Sequence, residues 1–95
     1  MANVKVCDGK WNGVKNESFT WTNDDTTSAV VISQDGNTTW PFTTPTVSPY
    51  TLTVARKTTS PGTLTCQLKD LAPGSYTYNS APCPTRGNPK TVIIT

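Results

Sequence analysis

Cys7, Cys66 and Cys83 are the side chains best suited to covalent or metal chemistry, and no histidine accompanies them. Without imidazole, neither the Ser-His-Asp nor the Cys-His nucleophilic arrangement can be assembled, and the commonest metal ligand is missing. The thiols form no CxxC pair and have no metal-site spacing. An odd count allows at most one internal disulfide, with three reduced and unrelated thiols as the alternative. Asp24-Asp25 is the only adjacent pair of carboxylates. A calcium loop would need more oxygen ligands at fixed spacing, and only Asp35 lies near, so a solvated turn is expected. General acid/base work needs carboxylates perturbed in a cleft, and six scattered acids suggest none. The sequence therefore assigns no catalytic residue, no metal ligand and no cofactor.

The balance of charge narrows the partners. Eight basic and six acidic residues give a net charge of +2, too weak and too scattered to point to nucleic acid. The apolar run Ala29–Ile32 is far too short to span a bilayer, so no membrane insertion is expected. Nothing near Met1 resembles a signal peptide. At 95 residues the chain is read as one domain, 1–95, with a modest core.

Strands must position whatever chemistry there is. Thr fills 19 positions, and β-branched residues favour extended backbone. Val4 and Val6 alternate with Asn3 and Lys5, and Phe19 and Trp21 alternate with Ser and Thr. Ser28–Ser33 reads as a continuous apolar, central strand. Leu52 and Val54, then Leu64, Cys66 and Leu68, then Tyr76 and Tyr78, each share one face, and Thr91–Thr95 forms the last strand. Trp11-Asn12-Gly13 and the stretch holding Pro41, Pro45 and Pro49 read as irregular. Roughly seven or eight strands in a chain this short predict an all-β, two-sheet Greek-key sandwich, cupredoxin-like or immunoglobulin-like. Leu71-Ala72-Pro73-Gly74-Ser75-Tyr76 has the form of a tyrosine corner, with the Tyr76 hydroxyl bonded back to the chain. Thr-x-Thr at Thr20–Thr22, Thr51–Thr53 and Thr63–Thr65 suggests an ice-binding face. The uneven spacing gives no repeat, and exposed strand faces account for the threonines.

Two stretches resemble the cupredoxins, the small blue-copper sandwiches. Phe19-Thr20-Trp21-Thr22-Asn23-Asp24-Asp25 is similar to the strand and turn preceding the first copper histidine. Pro73-Gly74-Ser75-Tyr76-Thr77-Tyr78-Asn79-Ser80-Ala81-Pro82-Cys83-Pro84 is similar to the ligand loop, and Lys90–Thr95 to the strand that closes it. Carried over by position, the resemblance puts Ala29 at the first histidine, Ser80 at the cysteine, Cys83 at the second histidine and Arg86 at the axial methionine. A blue-copper ion needs a thiolate and two imidazoles, so the implied fold comes without its type 1 site. In a Greek-key sandwich the loop holding Cys83 and the start of the Leu64–Leu68 strand lie at one end, with Cys7 nearer the other. That favours a Cys66–Cys83 disulfide, contributing about 3 kcal/mol.

The functional expectation is a non-enzymatic structural or interaction module presenting loops at the sandwich ends. Its contact surface is expected to include Trp40 and Tyr50 on one stretch and Arg86 and Lys90 on another. The partner is expected to be a protein or a second copy of the chain, paired edge to edge. A copper-binding or electron-transfer protein is the alternative that the resemblance supplies. A carbohydrate-binding domain is the alternative if Trp11 and Trp40 are exposed platforms rather than caps on the sandwich. The resemblance and the Thr-rich composition lean towards an exported bacterial protein.

Overall fold

The computed structural model describes residues 2–83 and 87–95. Alternation of apolar with Ser, Thr and Asn positions produces β1 (Ala2–Lys5), β2 (Lys10–Gly13), β3 (Ser18–Asn23) and β4 (Val30–Gln34) in the first half. The second half gives β5 (Thr51–Val54), β6 (Gly62–Gln67), β7 (Gly74–Ala81) and β8 (Lys90–Ile94). One sheet has the order β1-β3-β6 and the other β2-β8-β7-β4-β5. The described residues contain no helix. The all-β two-sheet sandwich expected from the alternation is the observed architecture.

Two details differ from the expectation. Trp11-Asn12-Gly13 is not irregular; it lies in β2, which runs parallel to β8 with Trp11 opposite Val92. Gly13 disguises that strand, because glycine reads as a turn. Here it makes room: a β-carbon at Gly13 would stand 2.6 Å from Leu68 Cδ1. β4 lies between β7 and β5, as a central strand should, yet it alternates, with Val30 and Ile32 buried and Val31 exposed.

The core is aromatic. Phe19 and Trp21 from β3 meet Phe42 and Tyr78 with ring centroids 5.0 to 5.7 Å apart. Most of these pairs are edge-to-face, which aligns the positive ring edge with a neighbour's negative face. Leu68, Val92 and Ile94 fill the space around them.

The register also brings two Thr-x-Thr motifs together. Thr20 stands opposite Thr65 and Thr22 opposite Thr63 on the outer face of the smaller sheet. The third motif belongs to β5 in the other sheet, so no extended array forms.

A close approach fixes how β5 hands over to β6. A β-carbon on Gly62 would sit 1.7 Å from the carbonyl oxygen of Ala55. Backbone cannot yield as a side-chain tip does. Gly62→Ala is therefore expected to destabilise the fold by about 3 kcal/mol or more, read from the midpoint of urea unfolding.

Candidate functional site

The site is built where β7 leaves its sheet. Ala81 stands opposite Val31 at the start of β4, and the Val6 amide donates to the Thr22 carbonyl near the end of β3. The end of β1, the turn from β3 to β4 and the chain beyond Ala81 therefore meet at one end of the sandwich. There Cys7 and Cys83 form a disulfide, with Cα atoms 5.5 Å apart across 76 residues of sequence.

This corrects the expected Cys66–Cys83 bond. The start of β6 does lie at this end, since Gly62 pairs with Asn23. Cys66 itself pairs with Phe19 at the far end of β3, four residues on, or about 13 Å along the strand. It is a free thiol buried in the core. The expectation placed the strand rather than the residue. It also put Cys7 at the wrong end, although parallel pairing of β1 with β3 sends Cys7 towards the β3–β4 turn.

A polar hub ties the loop down behind the disulfide. The Ser80 hydroxyl donates to the Val6 carbonyl at 2.6 Å, and the Ser80 amide donates to Asn88 Oδ1 at 2.9 Å. The Lys90 ammonium donates to the Gly87 carbonyl at 2.7 Å and to Asn88 Oδ1 at 3.3 Å. Lys90 is 0% exposed and points inward with Val92 and Ile94. It is thus an internal clamp rather than the contact residue expected from its charge. Because a buried ammonium must be hydrogen-bonded, it gathers loop oxygens around itself.

The other expected contact residues fare differently. Trp40 is 2% exposed; its indole donates to the Thr44 carbonyl and its ring stacks on Tyr50 at 5.8 Å. It caps the core, which corrects its placement on a surface. Trp11 is half-buried and spends its indole N–H on the Tyr78 hydroxyl at 2.8 Å. Tyr50 is half-buried, with the Lys69 ammonium 6.0 Å from its ring centre. Arg86 lies outside the described residues. The two expected patches do not join. The Gln34 amide donates to the Tyr50 carbonyl at the end of β4, whereas the Cys83 loop springs from beside its start. The Tyr76 hydroxyl donates to the Ala72 carbonyl at 2.6 Å, the bond that defines a tyrosine corner.

Asp24 and Asp25 hold a turn. Asp25 Oδ1 accepts from the Thr27 amide and hydroxyl, both at 2.7 Å, and from the Ser28 amide. The Thr27 bonds hold this carboxyl below the usual range. The Lys5 ammonium lies 3.8 Å from Asp24. With Thr22, Cys7 and Pro82, these residues line an open cleft of about 480 Å³. Sequence reasoning missed this cleft, because its walls come from three separate stretches.

The donor set does not fit a blue-copper ion. Ala29 offers no ligand, the Ser80 hydroxyl is committed to Val6, and the Cys83 sulfur is bonded to Cys7. Among the described residues no group of three His, Cys, Asp or Glu side chains could hold a metal.

Burial acts on two neutral acids in the core. It pushes the Tyr78 hydroxyl well above its ordinary range, partly offset by the Trp11 indole. It also raises the Cys66 thiol, which the otherwise unpartnered Trp21 indole N–H faces. The folded chain therefore keeps protons that the unfolded chain releases. Stability is complete below the unfolded values, about 8.5 for Cys and 10 for Tyr, and is lost as pH rises beyond them. Urea midpoints should be level near neutrality and fall as pH climbs past these values. In Cys66→Ala the fall should begin later, with the tyrosine alone.

The fold belongs to a known class. Solved structures similar to this one include an oxidised methionine-to-lysine variant of amicyanin (TM-score 0.55, 13% identity) and an oxidised proline-to-alanine variant (TM-score 0.53, 13% identity). A methionine-to-glutamine variant in the Cu(I) form gives a TM-score of 0.51 at 14% identity. The first two likenesses each cover 99% of this chain and 81% of the other, the third 98% and 80%. No family model matches the chain, and no curated protein sequence does. The chain has a cupredoxin-like Greek-key fold, and among the described residues no set of side chains suited to copper is grouped. The immunoglobulin-like alternative gains no support from these likenesses.

Proposed function

We propose that this chain is a non-enzymatic binding module whose contact surface is the loop between β7 and β8. The reading is supported chiefly by the way that loop is held. A disulfide fixes one side and the buried Lys90 ammonium the other, while Pro82, Gly87, Asn88 and Pro89 remain exposed. Loop ends held in place in advance lose little entropy on binding, so a modest surface can bind specifically. The disulfide also fits an oxidising compartment and hence an exported protein. No helix among the described residues is long and apolar enough to cross a membrane.

The test uses a substitution that leaves the fold intact. Among the described residues a β-carbon at Gly87 would meet nothing within 4 Å, so Gly87→Glu is expected to alter the surface alone. A partner protein captured by the wild-type chain should be lost by Gly87→Glu and retained by Val47→Asp, a change at a 70% exposed residue elsewhere. Equal capture by both variants would refute the reading. Sedimentation at high concentration identifies a second copy as the partner if dimers form. An intense visible band on adding Cu(II) would instead favour the electron-transfer alternative.

A further inference from the structure

We infer that the free edge of β2 takes up an extended strand of a partner protein, one carrying an acidic residue three positions from a small aliphatic residue. β2 ends the larger sheet and pairs on one side only, with β8. Along a parallel ladder, successive residues turn their main-chain groups to opposite sides. The Thr91 amide donates to the Gly9 carbonyl, so Gly9, Trp11 and Gly13 bond towards β8. The amides and carbonyls of Lys10 and Asn12 therefore face the open edge, where an added strand can pair with them.

Side chains decide which strand fits. Trp11 and Gly13 point into the sandwich, Lys10 and Asn12 outward. Beside Gly13 a cavity of about 70 Å³ opens between the edges of the two sheets, walled by Trp11, Val14, Phe19 and Leu68. Val14 is left 50% exposed there. Gly13 has no side chain to cover the gap, so the residue opposite it on an added strand projects over the cavity. A ring such as benzene needs about 150 Å³, so this space suits a small branched side chain such as valine.

Charge sets the other position. Lys10 is exposed and has no ion-pair partner among the described residues, whereas Lys5 lies by Asp24 and Lys15 by Asp70. A carboxylate directly opposite completes a cross-strand pair with it. Glu17 lines the cavity, which keeps the acid at the Lys10 end. Lys10 and Gly13 are three apart and face opposite sides, as do residues three apart on any extended partner. A second copy of β2 would bring another Lys10 and no acid, so the occupant is a different chain.

This surface is separate from the β7–β8 loop. Gly13 stands opposite Ile94, which pairs with Gly74 where β7 begins, and the loop leaves β7 at its other end.

The probes are capped threonine hexapeptides with Asp second and Val fifth, or the reverse, which covers both strand directions. Each is titrated into the isotope-labelled chain and followed by amide shifts and hydrogen exchange. One of them should bind saturably and slow exchange at the Lys10 and Asn12 amides. Ser in place of its Val should weaken binding about tenfold. Lys in place of its Asp should weaken binding severalfold, and Lys10→Glu should reverse that preference. The inference is overturned if neither peptide binds saturably, if the Ser peptide binds equally, or if Lys10→Glu leaves the preference unchanged. Slowed exchange on a different edge strand overturns it too. Dimers in sedimentation, with the Lys10 and Asn12 amides already protected before peptide is added, would give the edge to a second copy and equally refute it.

Discussion

Replacing both partners of the disulfide, in Cys7→Ala/Cys83→Ala, should lower the unfolding temperature by roughly 20 °C in calorimetry. The bond spans 76 residues of a 95-residue chain, so it closes nearly the whole unfolded ensemble into a ring. Chain entropy assigns such a closure about 4.5 kcal/mol. A domain of this size has a total stability of about 5–15 kcal/mol, and towards the low end the bond separates a folded from a half-unfolded population. Cys66→Ala removes only a small buried side chain and should cost about 1 kcal/mol. The contrast between these variants identifies the paired cysteines without a structure. A double variant melting within a few degrees of wild type would mean that the Ser80–Asn88–Lys90 hub fastens the loop by itself.

The second large effect belongs to Trp21. It is fully buried and touches Trp11, Phe19, Phe42 and Tyr78, which come from both sheets and from the segment between β4 and β5. Trp21→Ala should cost about 4 kcal/mol, because the rings around it cannot all collapse into the space left. Trp21→Phe keeps a ring in the same place and should cost about half as much. Equilibrium unfolding in urea measures both. The near-ultraviolet spectrum should flatten in the alanine variant even where the far-ultraviolet strand signal survives. A loss below about 1 kcal/mol would show that Trp21 does not join the sheets.

These two expectations divide the labour of the molecule. Trp21 holds the sheets together, and the disulfide holds the loop to them. The loop end can therefore vary in composition without disturbing the core. This fits a chain whose fold is cupredoxin-like while Ala29, Ser80 and the bonded Cys83 occupy the positions that the resemblance assigns to copper ligands.

Most of the strands were legible in the sequence because a strand's alternation is local. Val4 with Val6, Phe19 with Trp21, and Leu64 with Cys66 each reveal a buried face through a period of two. The missing histidines likewise excluded whole classes of chemistry before any folding was considered. Lys90 was also legible in principle: it shares parity with Val92 and Ile94, and that signal outweighs its charge. β2 was harder, because one of its two inward positions is glycine. What only the tertiary structure decided is which strand ends coincide. Cys7 meets Cys83 because β1 runs parallel to β3 and β7 ends beside the start of β4. Cys66 is left alone because antiparallel pairing carries it to the other end. Pairing directions and registers join residues dozens of positions apart, and the pattern within any one strand holds no record of them.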